Sequence, residues 1–467
     1  MFTQTFTNWE WCLVDDCSTR PEVLAALTEI AADPRVRLIH RAENGGIVAA
    51  SNDALSAATG EFIGLLDHDD ALVPTALADV MAVLDSDLGA EVDYLYTDEA
   101  HVLADGRESA HFLKPDWSPE RFRSSMYTCH LSVLRHEVVR EIGGFRVGFN
   151  GSQDHDLILR VTESAAANGR RVFHLPALTY HWRNISSSVS RASVSLIRAI
   201  DNGRQAVQEH CDRLGIDAEV VHGPVAGCYR VVRRLPANLA VTVVVPTRLE
   251  PAATRPFRLA VESTLRGLHT TRSTARLVVA HPADAPAELL GLLDDCIGDR
   301  WLPVPVQGAW TLATAIDRAL LMYPADAAVV VAPGMVPRSD VTPDWLEALV
   351  GLATSPGAGL VGSLIADRND VVLHAGWDIP NYRFYELEGL RVATSTSGND
   401  LLIERECSHV TLAAAAVSMQ HWREFRHLTS GGFDDAGRRL SQALVDSGAR
   451  TLWTPYSRVD RVVPIDG

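Results

Sequence analysis

The chain is poor in the features that mark many protein classes. Its seven cysteines (Cys12, Cys17, Cys129, Cys211, Cys228, Cys296 and Cys407) are odd in number, scattered and without Cys-X-X-Cys spacing. That excludes a disulfide framework and a zinc-ribbon pattern, and makes a reducing, cytoplasmic setting the expectation. No apolar run approaches the roughly 18 to 20 residues of a membrane-spanning helix. The first residues carry no basic-then-apolar signal pattern, so membrane association is expected to be peripheral at most. Lys and Arg number 42 against 59 Asp and Glu, a formal charge of −17 that argues against nucleic acid as a partner and against a polybasic membrane patch. No Gly-X-Gly-X-X-Gly follows a candidate strand, which counts against a nicotinamide enzyme.

What the chain has is length and α/β alternation. At 467 residues it exceeds one compact core, and two or three domains are expected. The most informative stretch is Glu61-Phe62-Ile63-Gly64-Leu65-Leu66-Asp67-His68-Asp69-Asp70, an apolar strand pattern that runs into carboxylates. Ligands of open α/β sheets bind at the carboxyl ends of strands, and Asp-X-Asp offers the hard oxygen ligands that Mg²⁺ or Mn²⁺ prefers. A solvated acidic turn after a core strand has the same local pattern.

Earlier in the chain, Trp11–Val14 reads as a strand leading into Asp15-Asp16-Cys17-Ser18-Thr19, followed by a helix over Pro21–Ala32. Val36–His40 is a second strand, Asn44-Gly45-Gly46 a turn, and Ile47–Ala58 a small-residue helix. Strand and helix alternate as in a parallel sheet covered on both faces. A helix is predicted after Pro74, and Asp93–Glu99 reads as another strand ending in acids. The two prolines of Phe112–Pro119 predict a loop over the sheet. Ser152-Gln153-Asp154-His155-Asp156 opens a helix that reaches Asn168-Gly169, and Tyr180-His181-Trp182-Arg183 closes the region. A serine-rich run and a helix from about Ala192 to Leu214 follow. Arg230–Ala240 reads as a linker, after which Val241–Arg248 starts a second α/β pattern. The halves repeat faintly, Asn52-Asp53-Ala54-Leu55 matching Asp317-Arg318-Ala319-Leu320; where the first has Asp67 and Asp69, the second has Val331-Ala332-Pro333-Gly334.

Taken together, Val14–Thr19, Asn44-Gly45-Gly46 with Asn52, Leu66–Asp70, Tyr96-Thr97-Asp98-Glu99, Lys114-Pro115-Asp116-Trp117-Ser118, Gly151–Asp156 and Tyr180–Arg183 resemble family 2 glycosyltransferases of the GT-A fold. The likeness is to members that build bacterial surface polysaccharides of the rhamnan type, and it covers about residues 8–190. It implies two tandem GT-A domains of Rossmann-like α/β architecture. Residues 1–232 would be the catalytic domain with a trailing helix, and 238–467 a degenerate second copy without Asp-X-Asp or a base.

The resemblance further implies a metal-dependent enzyme of the hexosyltransferase type. A UDP- or dTDP-sugar would be the donor, and a saccharide or lipid-linked hydroxyl the acceptor. Asp15, Asp16, Asn44, Asp67 and Arg183 would bind the donor. Asp69, with Asp67, would hold Mg²⁺ or Mn²⁺, and Asp154 would be the general base of an inverting displacement. Asp98, Glu99, Lys114, Trp117, His155, His181 and Trp182 are weaker candidates for acceptor or loop contacts. Relatives begin with a strand that has no counterpart before Asn8-Trp9-Glu10, so a start inside a longer reading frame is the expectation. The competing readings are a non-catalytic scaffold of a polysaccharide-synthesis complex and an Asp-X-Asp phosphatase.

Overall fold

The structure, a computed structural model, describes residues 1–183, 193–248, 255–269, 275–297, 301–377, 387–394, 396 and 399–462. The chain divides into two units, each α/β: Met1–Ser118 with Phe122–Val231, and Val232–Pro380 with Phe384–Gly467, to which Pro119–Arg121 also belongs.

In the first unit the strands are β1 (Trp11–Asp15), β2 (Val36–His40), β3 (Phe62–Leu65), β4 (Ala71–Leu72), β5 (Val92–Val102), β6 (Glu108–Phe112), β7 (Ser132–Arg135), β8 (Arg171–Arg183), β9 (Ala218–His222) and β10 (Tyr229–Arg233). The helices are α1 (Pro21–Ile30), α2 (Gly46–Ala57), α3 (Ala76–Leu84), α4 (Pro119–Ser124), α5 (His136–Glu141), α6 (Gln153–Ala167) and α7 (Ser193–Arg213). The serine-rich run after Arg183, and the expected start of α7 at Ala192, lie outside the described residues. A six-stranded mixed sheet has the order β3-β7-β5-β8-β4 with β6 on β5, while β1 and β2 form a separate parallel pair. Alternate residues of the sheet face opposite layers. Tyr94, Tyr96 and Leu134 pack with Leu157, Ile158 and Val161 of α6, and Leu95 and Val133 pack with Val80 and Leu84 of α3.

The second unit contains β11 (Val241–Pro246), β12 (Arg276–Pro282), β13 (Trp301–Val306), β14 (Ala327–Val331), β15 (Met335–Pro337), β16 (Ala358–Ala366), β17 (Val372–His374), β18 (Arg405–Glu406), β19 (Ala414–Ser418) and β20 (Arg450–Arg461). Its helices are α8 (Arg255–His269), α9 (Ala287–Ile297), α10 (Leu312–Met322), α11 (Trp345–Ala353), α12 (Met419–Phe425) and α13 (Phe433–Asp446). The sheet order is β13-β12-β11-β14-β19-β16-β20-β15, so β11 joins the pair β12 and β13 to β14. The first unit follows the same path, β2-β1 and then β3-β7-β5-β8-β4. Among its described residues no strand stands between β1 and β3 in the β11 position.

The faint repeat has a structural meaning. Asn52 of α2 clamps both backbone groups of Phe145 at 2.9 Å, and Asp317 of α10 accepts the Trp422 indole N–H of α12 at 2.9 Å. One polar side chain at the same helix position ties the helix down in each unit. Two expectations are corrected. Arg230–Arg233, read as linker, belong to β10, which pairs with β9. The strand read as ending in acids at Glu99 continues to Val102, because Asp98 and Glu99 find buried partners and stay inside it.

Two buried histidines make stability depend on pH. Burial holds His155 on α6 at about 4 and His374 on β17 at about 3. Both stay neutral in the fold and take up a proton only on unfolding, so their contribution is intact above the ordinary histidine range and is lost as pH falls below it. At about pH 5 each is expected to cost roughly 2 kcal/mol relative to neutral pH. Thermal melts at the two pH values measure this as a lower Tm in acid.

Candidate active site

The site lies at the carboxyl end of β3. Residues 67–70 form a turn closed by the Asp70 N–H on the Asp67 carbonyl at 3.2 Å. In an extended chain, residues two apart share a side, which favours Asp67 with Asp69; a turn brings residues three apart together. The donor atoms that converge within 4.8 Å are those of Asp67, Asp70 and His130, which sets Asp70 and His130 beside the expected pair Asp67 and Asp69 as candidate ligands. Two carboxylates and an imidazole suit a divalent ion such as Mn²⁺. His130 turns Nε2 toward the turn, 3.8 Å from Asp67 Oδ2, while its Nδ1, on the other side of the ring, is buried without a hydrogen-bond partner among the described residues.

Tyr180 of β8 organises this group. Its ring stacks on His130 at 4.5 Å and 15°, its hydroxyl donates to Asp70 Oδ2 at 2.8 Å, and it accepts the Asp67 N–H at 3.3 Å. Arg183 donates its backbone N–H to Asp70 Oδ1 at 2.8 Å and its Nε–H to the Asp69 carbonyl. Burial, with the neighbouring Asp69 charge, holds Asp70 above the usual carboxylate range. Trp182 is exposed and rests against His101 and, edge-on, His130, while His181 pairs with Glu108 at 3.3 Å.

Asp154 opens α6 and is half-buried, its Oδ1 accepting the His155 N–H at 2.8 Å. Burial first, and the charge of Asp67, raise its pKa, while His130 acts to lower it. Proton affinity is thus raised beside the acidic turn, as a general base requires. Asp156, one turn position on, is fully buried between Arg146 and Arg160 and serves the fold.

At the ends of β1 and β2, Asp15 is buried, accepts the Ser18 N–H at 3.0 Å and meets His40 Nδ1 at 3.0 Å; the Ser18 side chain first, then His40, hold its pKa down. Asp16 accepts the N–H groups of Gly45 and Gly46 at 2.8 and 2.7 Å, an anion at the start of α2. Asn44 donates to the Asp16 carbonyl at 2.9 Å. The loop expected to carry acceptor contacts is largely internal. Asp98, Glu99 and Lys114 are 4%, 0% and 2% exposed and bonded to protein partners, so their side chains are framework, which corrects their reading as contact residues. Trp117 packs on Phe122 at 5.0 Å, and His155 bonds the Phe122 carbonyl at 2.9 Å within the core.

The sheet thus places an acidic turn at a strand's carboxyl end, where open α/β sheets bind ligands. Residues 1–143 match the family model Glycosyl transferase family 2. The chain is 36% identical over 377 residues to the uncharacterized protein y4gI of Sinorhizobium fredii, covering 80% of this chain and 40% of that protein. It is 33% identical over 383 residues to the O-antigen biosynthesis protein RfbC of Myxococcus xanthus, covering 80% of this chain and 28% of that protein. With a chondroitin synthase of Escherichia coli it shares 28% identity over 214 residues, 46% of this chain and 30% of the relative. The chain therefore spans less than half the length of each of these relatives.

Sequence reasoning missed His130 and the role of Asp70. His130 lies about sixty positions from Asp67 and carries no local motif; only the antiparallel pairing of β7 with β3, Leu65 opposite Ser132, brings the two together.

Proposed function

We propose that this chain transfers a sugar from a nucleoside-diphosphate donor to a hydroxyl of a growing surface polysaccharide or lipid-linked acceptor, inverting the anomeric centre. The observation that carries the reading is the convergence of Asp67, Asp70 and His130, all within the stretch that matches the family 2 model, with a half-buried Asp154 whose charge senses Asp67 and His130. Asp67, Asp70 and His130 would hold Mg²⁺ or Mn²⁺, which when bound supplies positive charge against the diphosphate. Asp15, with Asn44 and the turn shaped by Asp16, would receive the nucleobase, and Arg183 and Trp182 would close over the donor. Asp154 accepts the acceptor's hydroxyl proton as that oxygen forms its bond to the anomeric carbon and the bond to the nucleoside diphosphate breaks.

The second unit is read as non-catalytic. Its β14 ends in Val331-Ala332-Pro333-Gly334, all buried and without a carboxylate, where the first unit places its acidic turn. Among the described residues no helix is long and apolar enough to cross a membrane, in keeping with action at the cytoplasmic face of the envelope.

Calorimetric titration of UDP, dTDP and GDP, each with and without Mn²⁺, tests the proposal. One nucleotide is expected to bind, far more tightly with the metal than without it. If none binds under either condition, the transferase reading is wrong and the scaffold reading replaces it.

A further inference from the structure

A lysine and a glutamate lie completely inside the first unit, with side chains 0% and 1% exposed and Nζ 3.1 Å from Oε2. Burying such a pair is weak evidence for stability, since desolvation offsets most of the attraction. What the pair touches gives it another use. Lys114 Nζ has three N–H donors. They are accounted for by Glu99 Oε2 at 3.1 Å, the Thr128 carbonyl at 2.6 Å and the His130 carbonyl. Glu99 Oε2 also accepts the His130 N–H at 3.1 Å. Both backbone polar groups of His130 are therefore held by this one ion pair.

The pair is itself anchored. Lys114 N–H donates to Asp98 Oδ1 at 2.8 Å, and Asp98 faces His174 Nε2 at 3.0 Å. In the sheet, Glu99 stands opposite Tyr180, the residue on which the His130 ring stacks. One end of the β5–β8 ladder thus fixes the imidazole by its ring and by its backbone.

We propose that Glu99 and Lys114 are positioning residues that hold His130 at its place beside Asp67 and Asp70. The inference rests on the metal-assisted transferase reading above and assigns these two residues a role that burial alone does not give them. Lys114 acts as a tripod, three donors diverging from one nitrogen; the planar fork of arginine does not reproduce that geometry.

The test is a double-mutant cycle on affinity for whichever of UDP, dTDP and GDP the wild type binds, read with and without Mn²⁺. Lys114→Met is expected to lower the Mn²⁺-dependent affinity by about 10- to 100-fold, the range for residues that orient a metal ligand, and to leave metal-free affinity unchanged. In a His130→Ala background the same substitution should have no further effect, and Lys114→Arg should not rescue. The pair Glu99→Gln with Lys114→Met removes both charges and leaves none unpaired, so it supplies a folded variant if the single substitution unfolds the unit. Losses of Lys114→Met and His130→Ala that simply add, or a fall that is equal with and without metal, would overturn the proposal and leave the pair purely structural. Metal-dependent binding that the variants leave intact also overturns it while sparing the transferase reading. A wild-type chain that binds none of UDP, dTDP and GDP overturns both.

Discussion

Asp154→Asn is expected to bind nucleotide as the wild type does and to lose transfer, with kcat reduced by about 10²- to 10⁴-fold. The amide is nearly isosteric, keeps an oxygen for the His155 N–H bond of 2.8 Å, and cannot take a proton. Binding and chemistry therefore separate, and a radiolabelled-sugar transfer assay beside a nucleotide titration measures the split. The pH profile carries the same signature. Because burial holds Asp154 above the ordinary carboxylate range, and the base works only when ionised, the wild-type rate should fall on acidification at a higher pH than an exposed aspartate would give. That acid limb should vanish from the residual rate of the variant. Normal transfer by Asp154→Asn would remove the base assignment.

The second large effect concerns the ion. Asp70→Ala and His130→Ala are each expected to reduce Mn²⁺-dependent nucleotide affinity by more than about 100-fold, beyond what the loss of an outer partner causes. Asp69→Ala should leave it nearly unchanged. Asp69 is tied into the site through its carbonyl, which accepts from Arg183 and survives the substitution, whereas Asp70 contributes its carboxylate. Titrations of the three variants side by side decide between a site built on alternate residues and one built on the turn. An Asp69→Ala variant as impaired as Asp70→Ala would restore the alternate pair.

Much of this was legible in the residues. The strand at Ala327–Val331 has the bounds that its apolar run predicts, because a fully buried strand leaves its pattern in consecutive residues; Val36–His40 also has its expected bounds, though of its residues only Val36 is buried. Acids at strand ends marked the site at Asp67 and Asp15. The same rule misled at Asp98 and Glu99, since an acid inside a strand and an acid beyond it look alike until the partner is known. Those partners, His174 and Lys114, come from a later strand and a loop, and only tertiary pairing supplies them. The turn at 67–70 is a limit of another kind. Nothing in Asp-His-Asp-Asp says whether the backbone stays extended, and that one choice sets Asp70 beside Asp69 as a candidate ligand.

The contrast between Asp67–Asp70 after β3 and the buried Ala332-Pro333-Gly334 after β14 also bears on how the chain comes apart. Acidic groups held close together at one strand end repel until a cation lies between them, while the matching strand end in the other unit carries no such tension. Ligand that binds only the folded first unit raises its melting point by mass action and leaves the second where it was. Calorimetry should then resolve two endotherms, one that climbs with Mn²⁺ and nucleotide and one that stands still. The endotherm that stands still thereby serves as an internal reference for the one that climbs.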